Sequence, residues 1–153
     1  MKITQWFKKD FIIENIESKD KRSVLMELSR ACIQDKDSID PESMTNALLD
    51  REKLGSTGIG DGIAIPHGKL AGLDEMLISF GISRGGIDFN SMDGKPVHLF
   101  FLLIAPENST GQHLKVLARI SRMLKDGTFR HKLMAATSKD EIYRIIAEKD
   151  DAS

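Results

Sequence analysis

The 153-residue chain holds a single cysteine, four prolines and no apolar run longer than Leu99 to Ala105. One cysteine cannot close an internal disulfide. Cys32 falls in register with Val24 and Leu28 on a helical stripe, so its expected place is the core and its expected job is packing, not catalysis. The longest apolar run is far short of the roughly 20 residues that span a bilayer, and "MKITQWFKKDF" has no signal-peptide stretch. The expectation is a soluble, cytoplasmic protein with no membrane insertion. Surplus charge is missing too, since 22 Lys and Arg face 23 Asp and Glu. Tracking a nucleic-acid backbone requires a net positive field, so nucleic acid is not an expected partner. No Pro-, Gly- or Ser-rich linker, internal repeat or low-complexity segment divides the chain, and residues 1–153 are expected to form one domain.

What is present is an alternation of apolar patterns. "FIIENI" (11–16) reads as a strand, and the polar segment from Ser18 carries Val24, Leu25, Leu28 and Ala31 at helical spacing. Asp40 as N-cap, Pro41 at the first helical position and Gly55 as a stop bracket a second helix. Its inner face reads Met44, Ala47, Leu48 and then Arg51, a cation that either complements the carbonyl end of the helix dipole or points toward a site. "STGIGDGIAIPHG" is a glycine-rich approach to a short strand. Its spacing fits neither the dinucleotide fingerprint nor a P-loop, so tight turns are the expected reason for the glycines. "EMLISFGISRGGIDF" reads as two strands about a Gly85-Gly86 turn, and "PVHLFFLLIAP" as a central strand covered on both faces. A long helix follows, capped by Ser109 or Thr110, with Leu114, Leu117, Ile120 and Leu124 among its apolar positions. Two further helices close the chain, one around "TFRHKLMAA" and one opened by the Ser138/Glu141 capping box. Helices on both faces of a mixed sheet make a three-layer α/β/α sandwich.

Four histidines are candidates for chemistry. His131, flanked by an arginine and a lysine, is expected in solvent, and His98, at the amino end of the central strand, is expected to be structural. His67 ends the "GIAIPH" strand and His113 lies in the first turn of the long helix, so parallel strands bring the two imidazoles to one rim. Pro66 lacks an N–H and biases Ile65 toward an extended backbone, which aims the ring that follows. Gly68 is expected to leave a ligand on that ring uncrowded and to offer it a close backbone amide. A neutral imidazole has a nucleophilic nitrogen and can accept a phosphoryl group, whose near two negative charges then call for cations and N–H donors. Arg51 supplies a planar fork, and His113, at a positive helix end, another donor. Asp61 either fixes the ring's tautomer or caps a turn. A zinc site of His67, His113 and Asp61 lacks any close ligand pairing, and a serine hydrolase lacks its G-x-S-x-G elbow, so no metal and no cofactor are expected.

The run "EKLGSTGIGDGIAIPHG", Glu52 to Gly68, resembles the signature of the fructose/mannitol-type enzyme IIA domains (EIIA type 2) of the bacterial phosphoenolpyruvate-dependent phosphotransferase system. The likeness extends over nearly the whole chain, through Arg51 and "HLKVLARISRML". It implies a mixed sheet of about five strands flanked by helices, phosphorylation of His67 by a phosphohistidine on an HPr-type carrier protein, and a pocket lined by Arg51 and His113. Asp61 stands where related domains often have glutamate. A chain with no IIB or IIC portion is most similar to the nitrogen-regulatory branch, whose members signal through their phosphorylation state to transporters or sensor kinases. Sugar-specific members instead hand phosphate to a cysteine of a IIB partner, a part that the core residue Cys32 is not expected to play. The alternative from another class is a regulatory binding module of the same fold that never carries phosphate.

Overall fold

The computed structural model describes all residues, Met1 to Ser153. After a single 3-10 turn at Ile3–Gln5, the chain runs β1 (Phe7–Ile13), α1 (Lys21–Ile33), α2 (Pro41–Glu52), β2 (Gly58–Gly60), β3 (Ile63–Ala64), β4 (His67–Leu70), β5 (Leu77–Ile87), β6 (Val97–Pro106), α3 (Thr110–Leu124), α4 (Gly127–Ala135) and α5 (Lys139–Ala152). Six strands form one mixed sheet in the order β1-β5-β6-β3-β2, with β4 also paired to β6. β5 and β6 are antiparallel, whereas β1 lies parallel to β5, and β3 and β4 lie parallel to β6. The strand count exceeds the expected five because β3 and β4 occupy successive lengths of one flank of β6.

The central strand explains the three layers. Leu99, Phe101, Leu103 and Ala105 enter one apolar cluster with α3, α4 and α5, while Phe100, Leu102 and Ile104 enter another with α1 and α2. Alternate residues of a strand face opposite sides, so a continuous apolar run is what a doubly covered strand requires. Cys32 is fully buried in the second cluster, where desolvation pushes its thiol up to about 12, which keeps it protonated and inert. No helix is long and apolar enough to cross a membrane.

Helix caps follow the local chemistry. Asp20, Asp40, Asp126 and Ser138 each accept a hydrogen bond from an amide in the first turn of α1, α2, α4 and α5. Three features differ from the sequence reading. β1 begins at Phe7, because the exposed Lys8-Lys9-Asp10 run lies within an edge strand, where charges deter further pairing. Residues 77–87 are one strand, not two: Gly86 (φ 83°) marks a register shift against β6 between Ile82 and Ile87, a bulge in place of a reversal. A Cβ at Gly86 would stand 2.8 Å from Pro96 Cβ, so only glycine lets β6 approach. Leu114, read as an apolar-face position of α3, is 59% exposed, because the buried stripe of that helix is His113, Val116, Ile120, Met123 and Leu124.

Candidate functional site

Pro66 shapes the site by interrupting a ladder. β3 pairs with β6 at Leu99 and Phe100, the chain leaves the ladder at Ile65-Pro66, and β4 resumes from His67 opposite Leu103. His67 therefore opens a strand at the sheet's flank and does not close one, since β6 is long enough to pair again beyond the proline. The Ile65 amide donates to the Thr57 carbonyl (3.0 Å), and the Ile65 carbonyl meets Nδ1 of His67 at 2.8 Å. A carbonyl only accepts, so Nδ1 carries the proton and Nε2 keeps its lone pair.

The parallel register sends His67 to the same face as Leu103, the face covered by α3. There its ring meets His113 edge to face, with centroids 5.7 Å apart. His113 is buried and its Nε2 has no hydrogen-bond partner. Desolvation lowers the pKa of His67, with the Arg51 charge acting in the same direction and the Ile65 hydrogen bond and Glu52 opposing it. Desolvation, followed by the fields of His67 and Lys69, takes His113 down to about 4. Both rings are neutral at pH 7.

The second shift makes stability depend on pH. The folded pKa of His113, about 4, lies below its ordinary 6.5, so the unfolded chain binds the proton more tightly. Its contribution to stability is complete above pH about 6.5 and is lost as pH falls toward 4; at pH 4.5 the loss is roughly 2 to 3 kcal/mol. Urea unfolding at pH 7 and pH 4.5 is expected to show an acid loss smaller by that amount in His113→Gln than in the native chain.

Arg51 ends α2 half-buried, with Nη1 donating to the Gly55 carbonyl at 2.8 Å, and its charge is felt at His67. Two cations and an anion thus border the rings, because Lys69, two residues along β4 from His67, donates to Thr110 Oγ1 at the start of α3 and Glu52 lies beside Arg51. Ser109 is the N-cap, yet its hydroxyl donates to the Pro106 carbonyl, so no side chain caps the first-turn amides of α3. That end of the helix keeps its partial positive charge beside His113.

Asp61 lies elsewhere, and the Cα of Gly68 turns away from the ring. Asp61 (φ 57°) sits in the β2–β3 turn, where its amide donates to Asp93 and its neighbours across a shallow cavity are Gly62, His98, Leu99 and Arg130. Leu99 is four residues along β6 from the partner of His67, about 13 Å at the rise of a strand. The acceptor on Nδ1 is the Ile65 carbonyl and not this carboxylate. Gly68 faces α2, where a Cβ would stand at ordinary contact distance, 3.6 Å from the Ala47 carbonyl oxygen and 3.7 Å from Leu48, on the opposite face from the His67 ring. His98 is structural, with Nδ1 on the Ser83 carbonyl at 2.9 Å, and His131 is exposed. No group of three or more His, Cys, Asp or Glu side chains is placed to hold a metal ion.

Sequence reasoning missed Lys69, Glu52 and Thr57. Lys69 was legible, since two residues on from His67 in a strand is the same face. Glu52 was hidden by its position, a carboxylate in the last turn of a helix that looks solvated until the following loop folds over it.

The family described as "Phosphoenolpyruvate-dependent sugar phosphotransferase system, EIIA 2" matches residues 5–149. The chain is 41% identical over 150 residues to the "PTS system fructose-specific EIIABC component" of Bacillus subtilis, covering 98% of this chain but only 24% of that protein. It is also 41% identical over 147 residues to a "Nitrogen regulatory protein" of Bradyrhizobium diazoefficiens, covering 96% of this chain and 95% of the relative. Among solved structures, nitrogen regulatory protein IIA-Ntr from Neisseria meningitidis superposes with a TM-score of 0.87 at 35% identity, over 94% of this chain and 98% of that one. A match that runs from the first strand to the last helix, over the whole sheet that holds the paired imidazoles, shows that this chain belongs to the EIIA type 2 family of the phosphoenolpyruvate-dependent sugar phosphotransferase system.

Proposed function

We propose that this chain is a phosphohistidine carrier that accepts a phosphoryl group on Nε2 of His67 from a phosphohistidine of an HPr-type protein, and that its phosphorylation state is the signal it delivers. The hydrogen bond from Nδ1 to the Ile65 carbonyl carries the reading, because it leaves one nitrogen of a neutral ring bare. The Nε2 lone pair forms the new N–P bond while the donor's N–P bond breaks, its electron pair returning to the donor imidazole. No proton needs to move in this step. The acceptor ring gains positive character, which the Ile65 carbonyl stabilises through the Nδ1 proton.

The transferring group carries its charge on its oxygens, so positioning and electrostatics supply most of the rate. Arg51 offers a fork, Lys69 a point charge, and α3 the open amides of its first turn. His113 Nε2, buried without a partner, gains one by donating to a phosphoryl oxygen. The nitrogen-regulatory branch is favoured by the likeness to IIA-Ntr of Neisseria meningitidis, at a TM-score of 0.87 and 35% identity. A transporter or a sensor kinase is then the class of target.

Incubation with phosphorylated HPr-type donor is expected to yield one acid-labile phosphohistidine, seen by phosphorus NMR and assigned to Nε2 by long-range proton–nitrogen correlation. A native chain that stays unlabelled overturns the proposal, as does label on Nδ1 or on another residue.

A further inference from the structure

We propose that Glu52 is a positioning residue for the phosphoryl acceptor, its buried carboxylate setting the orientation of the His67 imidazole through Thr57 and Ile65. The inference rests on the reading of His67 as that acceptor. A carboxylate at the C-terminal end of a helix opposes the dipole, and burying it costs more unless it is paired. Glu52 is in both situations, with its side chain 4% exposed in the last turn of α2. Such a placement needs compensation, which comes from Lys21 Nζ at 2.9 Å, the Thr57 amide at 3.2 Å and the Thr57 hydroxyl. Lys21 is itself held over the Phe89 ring, 4.5 Å from its centroid.

From Thr57 the chain of contacts leads to the ring without an intervening side chain. The Thr57 carbonyl accepts from the Ile65 amide (3.0 Å), and the Ile65 carbonyl accepts from Nδ1 of His67 (2.8 Å). Pro66 has no N–H, and β6 holds this turn through the Leu103 amide, which donates to the Pro66 carbonyl at 2.9 Å, so the N–H and C=O of Ile65 are left to Thr57 and His67. Thr57 restrains Ile65 from its N–H side, and Glu52 restrains Thr57 through its amide and hydroxyl. Arg51 grips the same loop at the Gly55 carbonyl, so the cation and the ring hang from one segment, residues 51–57. Local sequence gives no reason for a buried anion here, whereas a ring that must hold one tautomer does.

The carboxylate also acts through its field. The charged and titratable groups acting on the rings are Arg51 and Glu52 from α2, Lys69 from β4 and His113 from α3. Among these Glu52 is the one anion, and it raises the proton affinity of His67 against Arg51. Glu52→Gln removes the charge while keeping a carbonyl for the Thr57 amide. Thr57→Val removes only the hydroxyl and leaves the carboxylate and its lysine in place.

Long-range proton–nitrogen spectra of the imidazoles, recorded against pH, test the proposal on the unphosphorylated protein. The native chain is expected to hold neutral His67 in the Nδ1–H form. Glu52→Gln is expected to populate the Nε2–H form and to lower the titration midpoint, with Thr57→Val moving the tautomer ratio the same way by less. Phosphoryl acceptance by Glu52→Gln at saturating donor is expected to fall about tenfold, with the half-saturating donor concentration unchanged. A folded Glu52→Gln chain with native tautomer ratio and midpoint overturns the proposal. If that variant fails to fold, an unchanged tautomer ratio in Thr57→Val overturns it instead. The spectra need no donor, so a native chain that cannot be phosphorylated sinks the acceptor reading while leaving the Glu52–His67 coupling measured.

Discussion

His67→Ala is expected to abolish phosphoryl acceptance, a drop of at least about 10^4-fold in the rate of labelling, because a reaction that proceeds through a covalent intermediate has no path without its nucleophile. His113 cannot take over. Its Nε2 is buried, and its own pKa, at about 4, marks a poor base and a poor nucleophile. His113→Ala is expected to keep the acceptor and lose a donor to the transferring oxygens, slowing labelling about 10^2-fold, in line with the loss of one such group elsewhere. Rapid-quench measurement of the labelled fraction separates the two variants. Labelled His67→Ala protein, or equal rates for both variants, contradicts the division of roles. Melting temperatures control for the fold: His67 sits at the flank strand and is expected to matter little, whereas His113 leaves a cavity beneath α3.

Asp150 carries the largest effect on stability. It is fully buried near the end of α5 and accepts from Arg119 Nε at 2.8 Å and from the amide and hydroxyl of Thr4 at 3.2 and 3.3 Å. One carboxylate thus fastens the N-terminal turn, α3 and α5 together. Asp150→Ala strands the guanidinium of Arg119, 12% exposed, without its counter-ion. Removing one member of a buried pair costs about 3 to 5 kcal/mol. For a chain of this size that lowers the melting temperature by roughly 10 °C, readable by calorimetry. Replacing both partners with apolar residues, Arg119→Met with Asp150→Leu, is expected to recover most of the loss. Arg119 lies six residues along α3 from His113, roughly 9 Å at the helical rise, and β1, against which α5 packs, lies across the β5–β6 pair from β4, so labelling of His67 at 25 °C is expected to remain within about twofold of native. An Asp150→Ala chain as stable as the native one removes the basis for this account.

Much of the fold was legible because its signals are local. Pro41 behind Asp40, Ser138 before Glu141 and the run from Leu99 to Ala105 each report on their own few residues, and the structure has α2, α5 and the doubly covered β6 there. The failures were long-range. The Gly85-Gly86 pair is chemically suited to a turn, and only the presence of β6 alongside makes it a bulge. Leu114 fits an apolar stripe by count, and only the placement of α3 over the sheet leaves it in water.

The site divides along the same line. From the sequence alone came the ring itself, the proline that aims it and the expectation that Arg51 and His113 stand near, since backbone stiffness and helical period act within a turn or a strand. Tertiary structure alone decided that the Ile65 carbonyl fixes the tautomer, that Gly68 faces a helix, that Asp61 lines a cavity beside Leu99 and that Glu52 is buried. Those outcomes depend on which flank of β6 each short strand joins and on how the loop after α2 closes, and pairing between distant segments leaves no mark in the spacing of neighbouring residues.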